Sequence, residues 1–195
     1  DHGGVYVQSV SQDHYQQAFS RLQNQGRVFP CDCSRKAIAQ KVGKPNAGGH
    51  FVYPGTCRNR SLDEFPKGEA LAWRYRVADE VIAFDDVLMG IQSQNVAQES
   101  GDAVIKRRDG IFAYQLASVV DDIDMRITDV VRGVDLLDST PVQIAMFRAL
   151  GAEPPRFWHL PLKTDADGNK LAKRDGSDSL LALREAGVSA EWGGG

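Results

Sequence analysis

Three groups of residues in this chain have the types and spacing to do chemistry. The first is Val131-Arg132-Gly133, followed by Val134-Asp135-Leu136-Leu137-Asp138-Ser139-Thr140-Pro141. An arginine where a strand meets a glycine can grip a carboxylate with two parallel hydrogen bonds. In open α/β sheets such ligands sit beyond the carboxyl ends of the strands. The competing reading of Arg132 is an ion pair with Asp121, Asp122 or Asp124, and local sequence weighs the two equally. The second group is Lys170-Leu171-Ala172-Lys173-Arg174, which follows His159-Leu160-Pro161-Leu162. Lysines on a loop can neutralise charge that develops on a displaced phosphate. The preceding Asp165-Ala166-Asp167-Gly168-Asn169 resembles the start of a calcium loop. It has Lys170 and Gly176 where that loop needs Gly and Glu, so a lysine-bearing turn is the better reading. Alone, a two-lysine turn is usually a solvated surface. Taken in order, these groups suit a site that binds a carboxylate beside a polyphosphate.

The third group is Cys31, Cys33 and Cys57. Three thiols call for a fourth ligand to close a tetrahedral zinc site. On chemistry alone His50 leads, because imidazole is a common zinc ligand and phenolate a rare one. Tyr53, four residues before Cys57, is the alternative. Three unrelated cysteines are the competing reading. Residues 31–60 carry many glycines and prolines and little periodicity, so they lack a core of their own and a metal is favoured. A closed site would be structural. The odd cysteine count, with no secretory signal before Asp1, points to a reducing, cytoplasmic setting. A Cys-x-Cys pair is also too close along the chain for a relaxed disulfide.

The elements that must position these groups follow from hydrophobic period. Tyr15, Ala18, Phe19 and Leu22 predict a helix, with Asp13 as N-cap and Gly26 as its stop. Leu71, Trp73, Tyr75 and Val77 alternate with Ala72, Arg74 and Arg76, the pattern of a half-buried strand. Val81–Phe84 and Ala103–Ile105 are further strands. Residues 112–122 form an apolar helix on which periodicity alone makes Tyr114 a core position. Ile127–Val131 reads as a buried strand ending at Arg132-Gly133. Thr140-Pro141-Val142-Gln143 reads as a helix start, with Thr140 as N-cap and Gln143 at the capping-box position; that helix runs to Leu150 and stops at Gly151. Alternating strands and helices make the class α/β.

The bulk numbers limit the partners. With 195 residues, 42% hydrophobic, the chain can bury a core as one domain with a small insertion. A net charge of −3 advertises no nucleic-acid face. Lys106, Arg107 and Arg108 could meet an RNA backbone, though a solvated face is the simpler account. No apolar run approaches the roughly 18 residues of a membrane helix, so no membrane partner is expected. The start at Asp1 reads as the interior of a longer protein.

Together these segments, from about Tyr6 to Leu183, resemble the class I glutamyl-type aminoacyl-tRNA synthetases. Lys170–Arg174 resembles the signature loop written KMSKS, and the resemblance makes Lys173 its ATP-contacting lysine. Leu171 and Ala172 depart from the Met and Ser of that name, and Ala172 removes a hydroxyl. The run Arg107-Arg108-Asp109-Gly110-Ile111-Phe112-Ala113-Tyr114-Gln115-Leu116-Ala117, with Val119-Val120-Asp121-Asp122, is similar to the glutamate-site helix and carries Tyr114 over as a glutamate contact. Val131-Arg132-Gly133 resembles the strand end that supplies the second contact, Arg132. The family's zinc pattern, Cys-x-Cys then Tyr-x-x-x-Cys, falls on Cys31, Cys33, Tyr53 and Cys57, which replaces His50 by Tyr53. Arg107–Gly110 and Gly133–Thr140 are worded more like the short, queuosine-directed branch. The long tRNA-glutamylating branch usually has Glu-Asp-His where this chain has Val134-Asp135-Leu136.

The resemblance implies a partial Rossmann-like class I catalytic domain. Residues 1–30 and 61–195 would belong to it, with 31–60 as a small zinc-binding insertion. The HIGH-like segment of the family is not among these residues, so about half of the site is expected here and no glutamate activation by these residues alone. The implied substrates are ATP with Mg2+, glutamate and tRNA(Asp); Zn2+ would be structural and the protein monomeric. Glutamate would be activated as its adenylate and passed to the queuosine base at the wobble position, by positioning and charge stabilisation rather than an acid–base pair. The rivals are a long glutamyl-tRNA synthetase and a non-catalytic, zinc-stabilised RNA-binding module. The reading requires Arg132 and Lys173 to share one crevice.

Overall fold

The computed structural model describes residues 7–46, 49–162, 184, 185 and 187. The lysine loop 170–174 lies outside them, so the expected convergence of Arg132 and Lys173 does too. Helix α1 spans Gln12–Asn24 and buries Tyr15, Phe19 and Leu22 on one face. Ser11, not Asp13, holds its N-cap position; Asp13 lies in the first turn, where a negative charge favours the helix dipole. Gly26 has φ 68°, its N–H bonds Gln23 O, and Arg27 N–H bonds Leu22 O. That is a Schellman ending, which needs the left-handed residue only glycine adopts at low cost.

Two sheets follow. In the first, β1 (Val28–Cys31) pairs antiparallel with β2 (Ala72–Tyr75), and β2 with β5 (Val104–Lys106). In the second the order is β4 (Gly90–Asn95), β3 (Val81–Asp86), β7 (Arg156–Leu160), β6 (Asp129–Gly133). The β3–β4 hairpin is antiparallel; β3–β7 and β6–β7 are parallel. Helices α3 (Tyr114–Asp124) and α4 (Thr140–Ala149) pack on one another and complete the α/β arrangement. Leu22, Tyr75, Ile105, Leu116 and Met146 meet in the main core. Cutting fully buried Leu116 or Met146 to Ala would cost about 2–5 kcal/mol. A smaller core joins Phe29, Cys31, Ile38, Tyr53, Cys57 and Phe65. No helix among the described residues is long and apolar enough to cross a membrane.

Four expectations are corrected. Among the described residues β6 is an edge strand and Val131 is 62% exposed, because β7 covers one side only. β2 is buried on both faces: Arg74 is only 8% exposed, since the cysteine segment packs over it. That segment also contains a helix, α2 (Arg35–Val42), which the glycine-rich composition around it obscures; the Ser34 hydroxyl caps it by accepting from Ala37 N–H. Thr140 does not cap α4. A helical turn at Val134–Ser139 runs into α4, Ser139 is already αR, and no side-chain cap bond forms. The Thr140 and Gln143 side chains have a different task.

Candidate active site

Parallel pairing of β6 and β7 sets Arg132 directly opposite His159. The N-terminal turns of α3 and α4 bring Tyr114, Thr140 and Gln143 to the same guanidinium. Arg132 Nε donates to His159 Nε2 at 3.0 Å, Nη1 to Gln143 Oε1 at 2.8 Å, and Nη2 to Thr140 Oγ1 at 2.7 Å. Nη1 also reaches the Tyr114 hydroxyl, loosely, at 3.4 Å. The guanidinium carbon lies 5.3 Å from the Phe157 ring centre. None of these partners is an anion. A guanidinium has five N–H donors, so among the described residues the four contacts leave an Nη2 proton and a weak Nη1 bond for a ligand. The N-terminus of α3, which Tyr114 opens, adds positive potential at the same place. The arrangement can hold a carboxylate.

The ion pair considered for Arg132 does not form among the described residues. Asp121 accepts from Tyr15 Oη at 2.7 Å, and Asp124 pairs with His14 at 2.5 Å. Asp122 is pushed up to about 6, by burial first and by Asp121 as well, while the Arg132 charge pulls it down. Tyr114 is no core residue: half of it is exposed, because it opens α3 instead of lying on the inner face.

Behind Arg132 lies a fully buried pair. His159 Nδ1 lies 2.5 Å from Asp86 Oδ2. Asp86 Oδ1 accepts from the backbone N–H groups of Met89 at 3.0 Å, Leu88 at 3.1 Å and His159 at 3.3 Å. Burial opposes ionisation of Asp86, but the bonds from His159 and these N–H groups outweigh it and hold the carboxyl below its usual range. Sequence reasoning quoted His159 without giving it a role and missed Asp86 altogether. The available signal was a polar residue at or near the end of each of two strands, preceded there by apolar residues: Asp86 after Val81-Ile82-Ala83-Phe84 and His159 after Phe157-Trp158.

The cysteine cluster is a second centre. The three sulfurs lie within 4.8 Å of one another, and Cys31 and Cys57 are fully buried. The Tyr53 hydroxyl lies 3.5 Å from Cys31 Sγ and 3.9 Å from Cys33 Sγ, and accepts from Cys57 N–H at 2.7 Å. His50 stands outside the cluster, exposed, and lines a cavity of about 600 Å³ with Arg35, Tyr53, Arg74 and Gln115. Arg74, which no motif flagged, donates from Nε to Cys31 Sγ at 3.2 Å and lies 3.9 Å over the Tyr53 ring. Burial opposes a Cys31 thiolate, but Tyr53, Arg74 and the Cys33 N–H hold its pKa below the ordinary value. Burial and the neighbouring Cys57 push Cys33 up to about 12. Three sulfurs and a phenol oxygen this close could hold a cation of tetrahedral preference.

Known proteins resemble this chain. The family model described as "tRNA synthetases class I (E and Q), catalytic domain" matches residues 1–191. A protein named glutamyl-Q tRNA(Asp) synthetase from Nitratidesulfovibrio vulgaris is 47% identical over 192 residues, covering 96% of this chain and 59% of that protein. One of the same name from Burkholderia mallei is 50% identical over 177 residues, covering 89% of this chain and 58% of that protein. The chain therefore spans about three-fifths of the length of these curated relatives. Among solved structures, a glutamate tRNA ligase from Elizabethkingia meningosepticum, in complex with its amino acid, superposes with a TM-score of 0.67 at 27% identity. It covers 90% of this chain and 38% of its own. The glutamate-tRNA synthetase of Elizabethkingia anophelis gives 0.69 at 28%, covering 90% and 39%.

Proposed function

This chain belongs to the class I tRNA synthetases of the glutamate and glutamine group, and from that premise we propose that it carries the glutamate-binding part of an enzyme that glutamylates the queuosine base of tRNA(Asp). One observation carries the reading. Arg132 is held by neutral acceptors from β7 and the first turn of α4, with the Tyr114 hydroxyl at the start of α3 beside it. A carboxylate is the ligand that completes such a guanidinium. The names of the relatives support the choice of tRNA(Asp).

In the first step a glutamate carboxylate oxygen attacks the α-phosphate of ATP, and the bond to pyrophosphate breaks. In the second, a nucleophile on the queuosine base attacks the activated carbonyl and AMP leaves. Arg132 and Tyr114 hold and orient the amino acid. Lys173, in loop 170–174, neutralises phosphate charge, with Mg2+ accompanying ATP. Cys31, Cys33, Cys57 and Tyr53 hold Zn2+, which organises residues 31–60 and takes no part in the reaction. The protein acts as a cytoplasmic monomer.

Glutamate-dependent ATP–pyrophosphate exchange by the full-length protein tests the first step, and transfer of labelled glutamate to queuosine-containing tRNA(Asp) the second. Both are expected, with no transfer to tRNA(Glu). Charging of tRNA(Glu) would assign the protein to the long branch; absence of glutamate-dependent exchange would reject the reading. Lys173→Ala is expected to slow adenylate formation more than it weakens glutamate binding.

A further inference from the structure

Arg132 can only donate, so the His159 Nε2 that faces its Nε at 3.0 Å must be an acceptor without a proton. Thr140 agrees. Its hydroxyl oxygen accepts from Arg132 Nη2 and lies 3.2 Å from His159 Nε2 and 3.4 Å from Leu136 O, so its proton points to one of those two acceptors. The ring proton of a neutral imidazole then sits on Nδ1 and is donated to Asp86 Oδ2 at 2.5 Å. Three backbone N–H groups pin the other oxygen of Asp86. The chain Asp86–His159–Arg132 has one consistent direction of donation from guanidinium to carboxylate.

We propose that Asp86 and His159 are positioning residues for glutamate binding: Asp86 holds His159 in its neutral Nδ1–H tautomer, and the bare Nε2 then aims the Arg132 guanidinium at the substrate carboxylate. This rests on reading Arg132 as the glutamate contact. A carboxylate bonded directly to Arg132 would occupy the fork geometry that the substrate needs and compete with it. With an imidazole between them, the buried anion balances the guanidinium charge without taking those donors. Placement matters as much as charge. The long Arg132 side chain has many rotamers, and its bonds to His159, Gln143 and Thr140 hold it in one.

The test uses the full-length protein, glutamate-dependent ATP–pyrophosphate exchange, and the 15N shifts of the His159 ring. The wild-type ring is expected to show the neutral Nδ1–H tautomer. Asp86→Asn offers an amide N–H to Nδ1, which moves the ring proton to Nε2 and sets donor against donor at Arg132. The expected result is an Nε2 shift of a protonated nitrogen and a KM for glutamate raised about tenfold or more, with the KM for ATP changed less than about twofold. His159→Gln carries an amide oxygen to the Nε2 position and keeps an acceptor for Arg132. His159→Asn satisfies Asp86 but falls short of Arg132. Gln is therefore expected to keep the glutamate KM within about threefold of wild type, and Asn to raise it about tenfold. Equal values for the two variants, or the reverse order, would reduce His159 to packing and overturn the proposal; so would a wild-type ring protonated on Nε2. If Asp86→Asn does not fold, the two His159 variants and the wild-type ring shifts decide. A wild-type protein without glutamate-dependent exchange would instead refute the proposed function, a result these variants cannot mimic.

Discussion

Around Cys31 the polar groups are thiols, a phenol and the Asp32 carboxylate, 3.2 Å from Cys57 Sγ, and the cations Arg74 and Arg60 stand behind them, 3.2 Å from Cys31 Sγ and 3.8 Å from Cys57 Sγ. The groups bonded to Arg132 are neutral, the charge is the guanidinium's own, and the anion Asp86 stands behind an imidazole. One centre is complementary to a cation, the other to an anion. In each, the opposite charge lies one layer back, where it steadies the contact atoms without occupying them. The two also differ in origin. The cysteine centre comes from residues 31–57 of a single segment. The arginine centre needs β3, α3, β6, α4 and β7.

If the centres are independent, each should fail alone. The largest effect is expected from Arg132→Ala: a loss of about 100-fold or more in kcat/KM for glutamate in pyrophosphate exchange, with metal content unchanged. Arg132→Lys should not restore it, because an ammonium cannot fork. Next, Cys57→Ser should remove most of the bound zinc, measured by atomic absorption, and expose residues 31–60 to protease. The glutamate KM should then move by no more than about twofold, as for distant sites that do not couple. A larger change would mean that the centres communicate. Tyr53→Phe should weaken zinc binding by roughly tenfold in a chelator competition, and His50→Ala should leave it unchanged. The opposite result would restore the Cys₃His set.

Smaller effects sharpen the arginine side. Tyr114→Phe removes one hydroxyl and should raise the glutamate KM by about three- to tenfold, the worth of a single hydrogen bond. Asp122 stands near Arg132 without pairing with it, and its carboxyl is pushed up to about 6, mainly by burial. The folded state therefore prefers the neutral acid, and that stabilising preference is lost as pH rises from about 4 through about 6. Asp122→Asn, neutral throughout, should match wild type in urea unfolding below about pH 4 and exceed it by about 1–2 kcal/mol above pH 6.

Much of the scaffold was legible because its signals are local. The helix around Tyr15, Phe19 and Leu22 appears where its period placed it, and Gly26 and Gly151 end their helices through left-handed turns. The three-thiol cluster was legible for the same reason, since Cys31, Cys33 and Cys57 lie within one segment; local chemistry favoured His50 as the fourth ligand, and only the family resemblance pointed to Tyr53. Where the reading slipped, a distant contact had overruled a local preference. Arg74 pointed outward by alternation and is buried by the cysteine segment; Thr140 and Gln143 matched a capping box and serve Arg132 instead. Tyr114 fitted a core pattern and stands exposed beside Arg132.

By itself, then, the amino-acid sequence determined the α/β class, most helices and strands, the family and the membership of the thiol cluster, since periods of two and 3.6 residues and short motifs act over a few neighbours. Only the tertiary structure decided what holds Arg132. The pairing of β6 with β7 sets His159 opposite it, and the pairing of β7 with β3 brings up Asp86, 73 residues away along the chain. Strand register is a property of the assembled sheet, set by which faces are buried and by what packs above them. The order of residues along the backbone does not state it.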